Sequence, residues 1–215
     1  LLVPLNFTLM TAVFDSIPAK AIPQVKLYLS SWEVDVKVVS KRKTKHGDYR
    51  KTLSGAHQIT INKGSNPYRF LITLIHELAH FVAFQEFGYR IQPHGKEWKM
   101  TFQKLMLPLI NPTVFPESLL TVIALHFKNP KASSDTDFRL VMELSKFDPV
   151  TDKTYVFELE EGTLFSIPDG REFKLGKKRV KRFECEEVST RKKYIFSPHA
   201  EVTVIKILSQ NNQNI

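Results

Sequence analysis

The sequence predicts an α+β protein, with helices packed on a small sheet and a small β-rich module after them. Three observations carry this. A long apolar run between Asn66 and Gly88 has the length and end signals of a buried helix. Period-two alternation precedes it, over 34–39 and again over 56–62. Near Asp148 and Pro149 helical spacing gives way to short apolar segments separated by turn residues. The expected division is a first domain over 1–148, a β-rich module over 149–209 and a frayed polar tail over 210–215.

Residues 1–31 read as one or two helices, with Leu5, Leu9, Val13 and Phe14, then Ile22, Val25 and Leu29, at near-helical intervals. From Trp32 the period becomes two, and Val34, Val36 and Val38 alternate with Asp35, Lys37 and Val39 as a strand with one buried face. The stretch KRKTKHGDYRK that follows reads as a hairpin with a basic tip and Gly47 and Asp48 as turn residues. Its return strand is 56–62, in which His57 is expected to face solvent.

The next element is the centre of the chain. Asn66 is a good N-cap, Pro67 suits the first helical position, and Gly88 stops the run after Phe87. Between them PYRFLITLIHELAHFVAFQEF is apolar almost all round, so the helix should be buried. It carries His76-Glu77-Leu78-Ala79-His80, which stacks two imidazoles one turn apart on a single face with a glutamate beside them. Buried polar groups need partners, and a metal ion would supply one. Zinc held by two such histidines requires a third protein ligand and an open position for water. His94, on a loop stiffened by Pro93 with Gly95 leaving room beside the metal, is the best third ligand, and Glu97 is the rival.

Downstream, 96–107 places Trp98, Phe102, Leu105 and Met106 on one helical face, which should pack beside the histidine helix. Pro116 opens another helix to Phe127, with His126 assigned no role. The loop NPKASSDTD leads to a short helix containing Leu140, Val141, Leu144 and Phe147. The C-terminal module reads as strands TYVFEL, TLFSI, REFKL, KRFECEEV, KYIF and EVTVIKI, with a Pro168-Asp169-Gly170 turn and Phe157, Phe165, Phe173, Phe183 and Phe196 as its core.

Composition narrows the function classes. The 215 residues, 42% hydrophobic, can build a packed core, and the uncharged stretches 1–14 and 105–116 are too short and too interrupted by Pro and Asn to span a bilayer. The sequence does not open on a basic region followed by a cleavage site, so no secretory signal is expected. A lone Cys185 excludes an intramolecular disulfide framework and suggests the cytoplasm. The +9 formal charge favours polyanions where it is clustered. It clusters twice: at Lys41, Arg42, Lys43 and Lys45 on the expected hairpin, and at Lys177, Lys178, Arg179, Lys181 and Arg182 in the module. Contacts there would be to phosphate rather than to base edges.

The run ITLIHELAHFVAFQEFGYRIQPHGKEW resembles the SprT-like group, which includes the Spartan proteases that degrade proteins crosslinked to DNA. The HExxH alone is shared by many metalloproteases; the HG pair followed two residues later by a bulky aromatic narrows it. The resemblance implies a zincin-like core, one catalytic zinc on His76, His80 and His94, and Glu77 as general base. It also implies a protein substrate associated with DNA, with the cytoplasm or nucleoid as location. In zincin folds an edge strand near the metal helix pairs with extended substrate, and 58–62 is the expected edge. The C-terminal module resembles the family's zinc ribbon in strand pattern, but its ligands are missing. Cys185-Glu186-Glu187-Val188 is half of a CxxC, and four good ligands are needed, so no second zinc is expected. The alternative is a nucleic-acid-binding or scaffold protein with a structural or idle metal site. No membrane partner is expected, and the oligomeric state is open.

Overall fold

The computed structural model describes residues 7–42, 45–64, 66–131, 137–149 and 153–205; the predicted tail at 210–215 lies outside them. The chain divides into two compact units, Leu1–Pro149 and Val150–Ile215. The architecture is α+β, with a small sheet among helices in the first unit and a separate β-rich sheet in the second.

In the first unit, α1 (Phe7–Phe14) and α2 (Ile22–Ser30) bury Val13, Val25 and Leu29 and lead into β1 (Asp35–Val39). The sheet has the order β1-β3-β2, with β2 at Gly47–Lys51 and β3 at His57–Asn62. β1 runs parallel to β3, pairing Val36 with Ile59 and Val38 with Ile61, while β2 runs antiparallel to β3 with Tyr49 opposite Ile59.

Two expectations are corrected here. Gly47 and Asp48 are not turn residues but the start of a strand, and the tight turn is at 52–56, closed by Thr52 N–H on the Ala56 carbonyl at 2.8 Å and by Gly55 at φ +86°. The strand 58–62 is not an edge but the centre. Its Ile59 and Ile61 are fully buried, and the strand that buries most is the one paired on both sides, whereas polar GDYRK suits the edge.

α3 (Pro67–Phe87) crosses this sheet, packing on β2, β3 and α4. The Asn66 side-chain oxygen accepts the Tyr68 and Arg69 N–H groups at 3.1 Å each, and Gly88, at φ +79°, ends the helix with its N–H on the Phe84 carbonyl. The Asn66 amide also donates to the Leu144 carbonyl and to Asp148, both at 2.7 Å, so one residue caps the helix and ties it to the end of the unit. Among the described residues α3 is the one helix long and apolar enough to cross a bilayer, yet 61% of its apolar window is buried inside the fold. It is a core helix.

α4 (Lys96–Met106) lies against α3 through Trp98, Phe102, Leu105 and Met106, all buried. α5 (Glu117–His126) and α6 (Phe138–Ser145) pack on each other. His126, expected to be idle, is buried and bonds Asp137, the N-cap of α6, at 2.9 Å.

The second unit is a six-stranded sheet of order β4-β9-β5-β6-β7-β8, antiparallel throughout. Its strands are β4 (Lys153–Tyr155), β5 (Leu164–Ser166), β6 (Glu172–Arg179), β7 (Arg182–Glu187), β8 (Lys193–Phe196) and β9 (Glu201–Val204). One face carries Phe165, Phe173, Leu175, Phe183, Cys185 and Val202, with Phe157 and Phe196 packed against them. The predicted strand TYVFEL is corrected: after Tyr155 the chain turns into one 3₁₀ turn, where the Glu158 carboxylate accepts the Tyr155 N–H at 2.8 Å. Of EVTVIKI, 206–207 lie outside the described residues.

Candidate metal centre

The helical spacing of His76 and His80 stacks their rings with centroids 5.0 Å apart, both partly open to solvent on one side of α3. The third histidine arrives from the loop between α3 and α4. His94 holds a left-handed backbone at φ +59°, uncommon outside glycine, and such strain clusters at functional positions. Gly95 follows in a tight turn, its N–H on the Gln92 carbonyl at 2.9 Å, and a Cβ there would meet that same oxygen at 2.9 Å. Glycine is thus needed for the turn and not, as expected from sequence, to leave room beside a metal.

The outcome is a near-equilateral triangle of Nε2 atoms. His76 to His80 is 3.2 Å, His80 to His94 is 3.0 Å and His94 to His76 is 3.2 Å. Three nitrogens bound to a tetrahedral zinc at about 2.0–2.1 Å lie roughly 3.3 Å apart, so the residues fit the ion. Among the described residues these three form the metal-competent group; Glu97, the rival, is not in it. Trp98 is the floor under them, fully buried, with its ring 4.7, 5.2 and 4.7 Å from those of His76, His80 and His94.

Burial, and then the neighbouring imidazoles, hold His76 down at about 3, and burial together with His94 holds His80 at about 4. His94 is lowered by burial as well. All three are therefore neutral at pH 7 with lone pairs free for a metal.

Glu77 faces the sheet side. It is buried and touches β2: a Cβ on Gly47 would fall 2.7 Å from the Glu77 Cγ and Oε1 and 2.9 Å from the Thr73 Cγ2. Burial and the nearby Asp48 carboxylate push Glu77 up to about 7, against the opposing pull of the Tyr49 backbone N–H, Arg42 and Lys45. A carboxyl poised near neutrality can both take and return a proton.

Sequence reasoning missed Gly47 and Tyr49. The alternation that would have revealed β2 is hidden in a polar segment, and only the glycine two residues before an aromatic hinted at it. His57, expected to face solvent, is partly exposed but also packs on α3, between Phe81 and Phe84, with Nδ1 2.9 Å from the Tyr49 hydroxyl.

The stretch that carries this geometry is similar to known proteins. The model of the SprT-like family matches residues 21–115. The chain carries a SprT-like domain. Protein SprT of Pseudomonas fluorescens strain Pf0-1 is 39% identical over 67 residues, covering 31% of this chain and 41% of the relative. Protein SprT of Glaesserella parasuis is 55% identical over 31 residues, 14% of this chain and 19% of that one. Protein SprT of Pseudomonas aeruginosa strain PAO1 is 57% identical over 28 residues, 13% and 17% of the two chains. The matched stretches thus span about two fifths or less of these relatives. No solved structure matches. The SprT-like match ends before the second unit, so the zinc-ribbon resemblance gains no support from it.

The basic residues singled out from sequence fare unevenly. Lys41 is exposed, and Lys43 lies outside the described residues. Arg42 is occupied internally, donating to Asn62 at 2.7 Å and to the Thr60 hydroxyl and carbonyl at 3.0 and 3.2 Å. Lys45 pairs with Asp48 at 2.9 Å. In the second unit Lys177, Lys178, Arg179, Lys181 and Arg182 are exposed around the β6–β7 turn, with Arg179 paired to Glu184 and Lys178 over the Phe183 ring.

Proposed function

We propose that the SprT-like domain hydrolyses peptide bonds with one zinc ion held by His76, His80 and His94. The observation that carries this reading is the Nε2 triangle, with a buried glutamate following its first histidine in the same helix. When bound, zinc supplies a Lewis acid that acidifies water and polarises a carbonyl. Glu77 takes the proton of the attacking water and hands it to the departing amine. Trp98 keeps water from the rear of the three rings and fixes their orientation.

β2 supplies the substrate edge. Its even-numbered residues bond to β3, as the His46–Asn62 and Thr52–Ala56 bonds show, so the backbone groups of Gly47, Tyr49 and Lys51 point outward. An extended chain added there would run past Glu77, which already takes the Tyr49 N–H.

For substrate class, proteins associated with DNA are our reading, supported by the family resemblance and by the exposed basic turn of the second unit. A reducing, cytoplasmic setting fits the single, buried Cys185. The test is Glu77→Gln in the full chain. Cleavage of unfolded protein should fall by about 10²–10⁴ with zinc content and fold retained, because only the proton shuttle is lost. Equal cleavage by both forms, or by neither, would leave a structural metal site. Adding single-stranded DNA should raise cleavage of DNA-bound substrate, steeply less so as salt is raised.

A further inference from the structure

Beside the metal centre a groove of about 350 Å³ has His94 in its wall, together with Lys96, Lys99 and Lys128, and with Met100 and Pro130 as its apolar part. Among the described residues no carboxylate lines it. Lys99 donates to Asn129 at 2.9 Å, which orients its ammonium without neutralising it.

Lys96 breaks a local rule. It is the first residue of α4, where the helix dipole is positive and a cation is unfavourable, and the neighbouring N-cap is a glycine with no side chain to cap it. Glu97, next to it in the same turn, suits the dipole, so Lys96 is the ill-placed charge of the two and is the one that lines the groove.

We propose that this groove is a specificity subsite for an acidic side chain, glutamate or aspartate, of the peptide substrate. This rests on the peptidase reading and adds to it. A glutamate would lay its methylenes against Met100 and Pro130 and its carboxylate among the three ammonium groups. The groove favours this over a nucleic-acid strand: it is the size of one or two residues, its one aromatic ring is the His94 imidazole with no Phe, Tyr or Trp on which a base could stack, and it has no arginine fork for a phosphate. Because His94 belongs to both, a chain crossing the metal centre would place a flanking residue in it.

The experiment uses the zinc-loaded full chain and matched peptides that differ only in Glu, Gln or Lys at the positions flanking the scissile bond. The Glu peptide should show kcat/KM several-fold above the Gln peptide. Lys96→Ala/Lys128→Ala should cut that ratio to near one, and Lys99→Glu should invert it toward the Lys peptide. Each exposed ammonium is worth up to about fivefold, and raised salt should shrink the preference. A second readout is independent of turnover: binding of the Glu peptide to Glu77→Gln protein, by fluorescence anisotropy, should weaken by up to about fivefold for each lysine removed, with binding of the Gln peptide unchanged. Equal binding and cleavage of Glu and Gln peptides overturns the subsite. Lysine-dependent binding without any cleavage sustains the subsite and sinks the peptidase reading instead. A single-stranded oligonucleotide that displaces the peptide and binds more tightly through the same lysines overturns it in favour of a phosphate site.

Discussion

Gly47 shows how much of this site rests on a single missing carbon. Its backbone lies against Glu77, and a methyl group there would overlap the Glu77 Cγ and Oε1 and the Thr73 methyl. Gly47→Ala should therefore displace the carboxylate or lift β2 off α3, costing about 1–3 kcal/mol by overpacking. Urea unfolding checks the stability, and the more telling measurement is cleavage at fixed zinc content, which should fall at least tenfold. Retention of wild-type activity would mean the carboxylate moves freely. His76, Glu77 and His80 were legible in the sequence because helical spacing alone sets which side chains stack. Gly47 was not, since its role is a contact with a residue thirty positions away.

At the scale of elements, α3 is held at its first turn. Asn66 caps it through the oxygen and reaches Leu144 and Asp148 through the amide, and Arg69 joins Asp148 at 3.3 Å. Asn66→Ala removes the cap and the two bonds that tie the helix start to Leu144 and Asp148, so the domain should lose about 1–2 kcal/mol. A shift in the urea midpoint with unchanged slope would show it; a loss below 0.5 kcal/mol, on the order of a neutral surface change, would mean the cap is dispensable. The cap was legible, being a local pattern of Asn, Pro and a distant Gly. The strand order was not. Alternation reveals that 34–39 and 56–62 are strands, but not that β1 lies parallel to β3 with a polar third strand on the far side, because pairing depends on which faces the helix covers.

For the whole molecule, the metal-free chain should weaken in acid. His76 and His80 stay neutral when folded, down to about 3 and 4, whereas unfolded histidines take protons below about 6.5. The unfolded state thus binds more protons, and stability falls as pH drops. Glu77 opposes this. Raised to about 7, it binds its proton in the folded state first, so its contribution is lost as pH rises from about 4.5 toward 7. Two imidazoles outweigh one carboxyl, leaving a net loss of roughly 1 kcal/mol per pH unit between about pH 6.5 and 4.5. Urea melts at pH 5, 6 and 7 in chelator should show it, and a flat or rising profile toward pH 5 would mean the three imidazoles are not buried together. Added zinc should raise the midpoint at pH 7 and lose its effect in acid, as ligand protonation competes with the metal. From residue order alone came the nature of the histidine helix α3, its two histidines and glutamate, the helical segments around it and the change of character near residue 148. These follow from near-neighbour periodicity and capping, which act over one or two turns. What only the folded chain decided is the convergence of His94 on the pair, the central place of β3, the edge formed by β2 against Glu77 and the lysine groove beside His94. Each depends on segments distant in sequence being brought within van der Waals reach, and that is settled by packing rather than by local preference.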